Sequence, residues 1–217
     1  MNRQSSKGVA AIEFALSMVV LVPLFLGTVG IGVQMVQSMQ VIGVARDAAR
    51  LYGASNGGVN FLSTANRTIL SKLGANIGLH TAAGDTGGNA VLILTAIKYD
   101  GTPGTTNYQH WVFHQRLVVG NPNYRTSNFG SPLVVTDTHF SAVTLDANGM
   151  VSPSTQETDN PNDRANFTAQ GNPFLNAGLS LTDLPNGTLL YVSECAAQGF
   201  RLPPYASGGV MYSYNVF

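Results

Sequence analysis

The chain has 217 residues, enough for a full hydrophobic core, so a miniature scaffold stapled by disulfides or metal is excluded. Charged side chains make up only 10%, and the 11 basic and 11 acidic groups cancel. With no basic patch in the sequence, a nucleic-acid partner is excluded as well. Asn, Thr and Ser together fill 52 positions, so solubility comes from neutral polar groups. The single cysteine, Cys195, rules out an intramolecular disulfide, a CxxC pair and a Cys-rich zinc site.

Residues 1–8 carry Arg3 and Lys7 and no acid, and form a cytoplasmic leader. From Val9 to Val33 the only ionisable side chain is Glu13. Twenty-five helical residues rise about 37 Å, enough to cross a hydrocarbon layer of roughly 30 Å. The positive charges precede this span, which predicts a single-pass inner-membrane protein with its N-terminus in the cytoplasm and the rest of the chain outside. No small-residue cleavage site of the signal-peptide kind closes the segment. Pro23 lies mid-span, where a membrane helix tolerates it. Glu13 stands out, because a charged side chain at the centre of a bilayer costs about 2.5–3.5 kcal/mol on insertion scales and marks a functional residue with a cationic partner. Positions 9, 10, 16 and 17 are Val, Ala, Leu and Ser, so that partner comes from another chain or a new terminus.

Gly8-Val9-Ala10-Ala11-Ile12-Glu13-Phe14, followed by a long apolar helix, resembles the processing and assembly motif of type IV pilin-like proteins, and most of all the TadE-like pseudopilins of tight-adherence systems. The likeness extends from about Lys7 to Gly53 and includes Ala45-Arg46-Asp47-Ala48-Ala49-Arg50. It implies that a prepilin peptidase cuts between Gly8 and Val9. Glu13 then becomes the fifth mature residue, able to pair with the free amine of a neighbouring subunit, and Phe14 packs helix on helix. The first mature residue is Val where many type IV pilins have Phe, and the chain is much longer than the small major pilins, which favours a minor or accessory subunit. The resemblance implies other pilin-like subunits, the peptidase and the inner membrane as partners, with a structural role in a surface fibre or secretion pseudopilus and no catalysis. The alternative is an uncleaved, signal-anchored envelope module that binds a glycan or surface through its Asn/Pro/Gly-rich part.

Beyond the span, Met35, Met39, Ile42, Ala45, Ala49 and Tyr52 recur every three or four residues. The helix is therefore expected to continue over 34–53 as an amphipathic stalk that covers a sheet and ends near Gly53. Arg46, Asp47 and Arg50 form its solvated face. Residues 54–217 form the extracytoplasmic head. Asn56-Gly57-Gly58 breaks the chain before a short helix over about 59–77. Val91 to Tyr99 reads as a buried strand and Gln109 to Val119 as its hairpin partner. Simple alternation places Trp111, Phe113, Leu117 and Val119 on one side of that partner and His110, Val112, His114, Arg116 and Val118 on the other.

The 67 residues from 121 to 187 hold six of the ten prolines. They are expected to form a long irregular insertion with a small hairpin around Asp146-Ala147-Asn148-Gly149, an edge strand at Leu133–Val135, and decoration or binding surface elsewhere. Strands over Thr188–Cys195 and Gly209–Phe217 complete an antiparallel sheet, the last carrying Val210, Tyr212, Tyr214 and Val216 on one face. The expected class is therefore α+β, a long apolar helix continuing as a stalk against a small antiparallel sheet with a long insertion.

No nucleotide-binding, nucleophile-elbow or zinc-protease motif is present, and no cofactor or metal is expected. His110 and His114 on one strand lie about 13 Å apart, too far to share an ion easily. Glu157, Asp159 and Asp163 lack the spacing of a calcium loop and read as a solvated acidic turn. Cys195 reads as a small buried hydrophobe.

Overall fold

The structure is a computed structural model that describes residues 5–55, 60–167, 183–203 and 206–217. The Asn56-Gly57-Gly58 break lies outside these residues. One continuous helix, α1 (Ser5–Ala54), takes in both the apolar span and the stalk and runs through Pro23. A second helix, α2 (Thr64–Gly74), is capped by the Ser63 side chain, which accepts from the Asn66 N–H, and continues into a 3-10 turn at Ala75–Ile77. Then come β1 (Ala90–Asp100), β2 (His110–Gly120), the short α3 (Thr155–Asp159), β3 (Leu189–Gln198), the two-residue strands β4 (Arg201–Leu202) and β5 (Ala206–Ser207), and β6 (Val210–Val216). The main sheet is antiparallel in the order β2-β1-β3-β6, and β4 pairs with β5. The α+β class, with a long apolar helix and a small antiparallel sheet, is the one the sequence implies.

The second half of α1 lies along the sheet. Val41, Val44, Ala45, Ala48 and Tyr52 are buried in one cluster with Leu92, Leu94, Ala96, Leu117, Val119 and Cys195. Alanines at 45 and 48 let the helix backbone approach the strands closely, and Tyr52 fills the space at the end of the seam. Its ring meets Phe61 at 4.9 Å and Tyr191 at 5.3 Å, both edge-on. Its hydroxyl donates to Gln115 Oε1 at 2.7 Å, and Gln115 Nε2 donates to the Asn148 carbonyl at 2.8 Å. One buried polar relay thus joins helix, sheet and insertion. At the other end of the seam Gln37 Oε1 accepts from the Phe200 N–H at 2.8 Å. From Tyr52 back to Gln37 the helix covers about 22 Å, close to the roughly 23 Å from Tyr191 to Gln198 along β3. The helix therefore runs antiparallel to β3, and its apolar half leaves the sheet at the Gln198 end.

Two expectations about faces are corrected. Met35, Met39 and Ile42 do not cover the sheet: they are exposed at 63%, 71% and 51%, and the seam belongs to the residues starting at Val41. The alternation along β2 also breaks. Ala96 pairs with Gln115 but Ile97 pairs with Phe113, which leaves His114 as an extra residue, a β-bulge. Every side chain before the bulge is thereby switched to the other face. Leu117 and Val119 pack under α1, whereas Trp111 and Phe113 join Ile97, Tyr99, Leu190 and Val192 on the opposite side.

That opposite side is closed by the insertion. Phe129, Val143 and Val151 complete its buried cluster, with Leu145, Ala165 and Phe167 packed against it. The 121–167 part of the insertion is thus the third layer of the fold rather than decoration. The Asp146–Gly149 turn is present, with Leu145 bridging Val151 and Met150 bridging Gln115 of β2. Gly149 is required there: its φ is +72°, and a Cβ would stand 2.3 Å from the Arg116 carbonyl oxygen. Leu133–Val135 is an exposed turn and not an edge strand.

Tyr52→Ala is expected to lower head stability by about 3–5 kcal/mol through the cavity and the orphaned Gln115. Met39→Ala, on the face the sheet does not use, is expected to change it by less than about 0.5 kcal/mol. Chemical denaturation of the full chain in detergent, followed by tyrosine and tryptophan fluorescence, compares the two.

Candidate assembly site

Gly8, Val9, Glu13 and Phe14 all lie on the free half of α1, where Val9 is 55% and Phe14 62% exposed. Their neighbours are as open: Ile12, Leu16, Val19, Leu24 and Phe25 are each more than half exposed. The helical segment Gly8–Ala54 reaches a mean hydropathy of 2.4 over its most apolar window, and none of that window is buried within the chain. It is long and apolar enough to cross a membrane. The two hydroxyls within residues 9–33 are satisfied locally, Ser17 donating to the Glu13 carbonyl and Thr28 to the Leu24 carbonyl, each at 2.8 Å. The Glu13 carboxylate has no ion-pair or hydrogen-bond partner among the described residues. Arg46, Asp47 and Arg50 form long, exposed contacts of 3.8 and 3.9 Å with one another, worth a few tenths of a kcal/mol.

The head contains two polar centres that pattern reading did not find. In the first, the bulge aims His114 at α3, where its Nδ1 lies 2.7 Å from Glu157 Oε1, and Lys98 Nζ donates to Glu157 Oε2 at 2.7 Å. Burial pushes the Glu157 carboxyl up, but the bonds from His114 and Lys98 outweigh it and hold the group below the usual range. Asn107 Nδ2 donates to the carbonyls of Glu157 and Asn160, both at 2.9 Å, and Arg164 Nε donates to Asn107 Oδ1. Asp163 is fully buried, and neither carboxyl oxygen has a hydrogen-bond partner among the described residues. Burial first, and the Glu157 charge second, push its pKa up to about 9, so it is protonated at neutral pH. Glu157 and Asp163 are therefore interior groups, and only Asp159 of the acidic trio lies at the surface.

The second centre lies under the Ser127–Gly130 loop. Glu194 on β3 accepts from the Ser127 hydroxyl, from the Asn128 N–H at 2.8 Å and from the Tyr212 hydroxyl at 2.6 Å. Buried Arg116 donates to the Gly130 carbonyl, stands 3.8 Å from Glu194 and sits over the Phe113 ring at 5.0 Å. Burial lowers its pKa to about 10, with Glu194 and Tyr52 opposing the shift. Both centres fasten insertion to sheet. Neither contains an activated nucleophile: Cys195 is fully buried and its thiol is pushed up to about 12 by that burial. His110 is exposed and bonds the Tyr108 carbonyl, apart from His114. Among the described residues no group of three or more His, Cys, Asp or Glu side chains is arranged to hold a metal ion.

Asp163 makes a pH signature. Its folded pKa lies above its unfolded one, so the folded chain holds the extra proton between about pH 4 and 9, and this group's contribution to stability is largest below that window and falls as pH rises through it. Asp163→Asn is expected to gain stability relative to the parent progressively from pH 5 to pH 8. Denaturation midpoints at the two pH values measure it; an equal difference at both would contradict the assignment.

The family model of TadE-like proteins matches residues 8–50, within α1 and including Gly8, Val9, Glu13 and Phe14. Neither the comparison with curated proteins nor that with solved structures gives a match.

Proposed function

The chain carries a TadE-like N-terminal segment, and we propose that it is a structural minor pilin or pseudopilin of a tight-adherence type system, without enzymatic activity. The observation that carries this reading is the free half of α1. An apolar helix whose Glu13 carboxylate has no partner among the described residues continues past the membrane-length segment into exposed Met35, Val36, Met39 and Ile42, on a face that the chain's own sheet leaves open. A helix inserted only in lipid has no use for that carboxylate or for an apolar stripe reaching into the head. A helical array of identical helices uses both.

In this reading the N-terminus faces the cytoplasm and a prepilin peptidase cuts between Gly8 and Val9. The new Val9 amine of one subunit neutralises Glu13 of the next, which sets the axial register between them. Phe14, Ile12 and Leu16 pack on neighbouring helices. Because α1 runs along β3 and leaves at the Gln198 end, that end of the head faces the inner membrane. The 101–109 loop and the chain end at Phe217 lie at the far, outward end.

Glu13→Ala is expected to insert into the inner membrane at the parent level yet be recovered in sheared fibres or co-purifying assemblies at less than about a tenth of the parent amount. Membrane fractionation and immunoblotting of sheared material read both quantities. Incorporation of Glu13→Ala at the parent level would contradict the registration role.

A further inference from the structure

The sheet has two edges, and they are treated differently. The β2 edge is covered, since the insertion bridges it at Val112 through Arg164 and at Gln115 through Met150. The β6 edge is bare among the described residues. Among the described residues the backbone of β6 bonds only to β3, and no β6 residue is buried. Tyr191 and Phe217 exchange both backbone bonds, at 2.7 and 2.8 Å, and Gly199 donates to the Gly209 carbonyl. In an antiparallel ladder this alternation assigns the odd-numbered residues of β6 to β3 and points the N–H and C=O groups of Val210, Tyr212, Tyr214 and Val216 outward. The strand carries no Lys, Arg, Asp, Glu or Pro, the residues with which natural proteins guard an open edge.

The order of its residues names the occupant. Val210-Met211-Tyr212-Ser213-Tyr214-Asn215-Val216 reads the same in both directions about Ser213 except at Met211 and Asn215. We propose that β6 pairs antiparallel with β6 of a second copy of this chain, across a two-fold axis at Ser213. In that register Val210 stands opposite Val216 and Tyr212 opposite Tyr214 of the other copy. All four outward-pointing residues then fall at hydrogen-bonded positions, each pair exchanging two bonds, while Ser213 meets Ser213 at a non-hydrogen-bonded position. Donors meet acceptors along the whole edge, no ionic side chain opposes its own copy, and the chain's zero net charge adds no repulsion. The tyrosine and valine cross-strand pairs are of the kinds that stabilise sheets. A single shared patch mapped on itself is an isologous, closed contact.

Symmetry then dictates a geometry. A two-fold axis perpendicular to the sheet keeps both α1 helices on the same face and reverses their direction. Since α1 leaves each head at the Gln198 end, the two anchors depart from opposite ends of the joined sheet. Two copies in one membrane patch, or side by side with the same polarity in one fibre, cannot pair in this way. The contact joins heads held on opposing supports, fibre to fibre or cell to cell.

The test uses the full chain in detergent. Ser213 lies opposite Cys195 within the same molecule, so Ser213→Cys is made together with Cys195→Ala. Non-hydrogen-bonded partners have Cα atoms about 4.5 Å apart, within disulfide reach. Mild oxidation is expected to give a covalent dimer. Adding Tyr214→Pro, which removes an outward N–H that β3 does not use, is expected to cut its yield at least tenfold. Tyr214→Lys serves the same purpose if the proline variant loses its far-ultraviolet circular dichroism. Vesicles of neutral lipid carrying the unaltered chain are expected to cluster by light scattering, and those carrying the folded Tyr214 variant to stay dispersed. A Ser213→Cys chain that stays monomeric, a Tyr214 variant that cross-links or clusters as well as its parent, or equal cross-linking through Val118→Cys on the covered side would each overturn the proposal. Neither readout depends on cleavage at Gly8 or on Glu13, so this contact and the assembly role stand or fall separately.

Discussion

The seating of Tyr52 at the end of the α1 seam is the constraint on which the rest of the molecule turns. It anchors a helix half of which has no place in the chain's own core, through ring contacts with Phe61 and Tyr191 and a hydroxyl bond to Gln115. Because Gln115 in turn holds the Asn148 carbonyl, the same contact couples helix position to insertion position. The bulge at His114 makes this possible. It brings Gln115 onto the helix side while sending Phe113 and Trp111 to the other side, so one strand serves two cores. Alanines at 45 and 48 complete the arrangement by letting the helix lie close along β3.

The insertion is ordered by a different principle. A long segment poor in strands still has backbone groups to satisfy, and here asparagine side chains take the place of a ladder. Asn162 Oδ1 accepts from the Thr136 and Asp137 N–H groups while its Nδ2 reaches the carbonyls of Asp137, Phe140 and Ser141. Asn107 clamps two carbonyls of the α3 turn, and Asn186 holds the Gly101 N–H. The Asn-rich, charge-poor composition is thus partly an interior feature and not only a means of solubility. The buried acids Glu157, paired with Lys98, and Glu194, beside Arg116, sit where the insertion is tied to the sheet.

Much of this was legible in the sequence. The apolar span, its continuation to Tyr52, and three of the strands lie within a residue or two of their expected bounds, because each has a strong local pattern, while β3 runs three residues past its expected end at Cys195. The TadE-like family model covers the same start, from residue 8. What was not legible depends on pairing between distant residues. Nothing local marks His114 as a bulge, so the side on which Trp111 and Phe113 fall could not be derived from alternation. Met35, Met39 and Ile42 have helical spacing, but spacing alone does not say whether the chain's own sheet or a neighbour receives them. Asp163 and Glu157 look like a solvated turn because the groups that receive them, Lys98 of β1, His114 of β2 and Asn107 of the loop between, come from other segments. Capping-type Asn side chains leave only a compositional trace until their partners are known.

These features describe a subunit whose head closes both faces of its own sheet and whose helix is left half open. The sheet is closed on one face by α1 and on the other by the insertion, and the longest run of exposed apolar side chains among the described residues lies on the free half of α1. A role in assembly through that helix makes its start the decisive place to look. The most direct measurement is the mass-spectrometric sequence of the N-terminus of the protein purified from its own cell envelope. A chain that begins at Val9 is the predicted result. A chain that retains Met1 through Gly8 would contradict the account, because the amine that neutralises Glu13 would then never form.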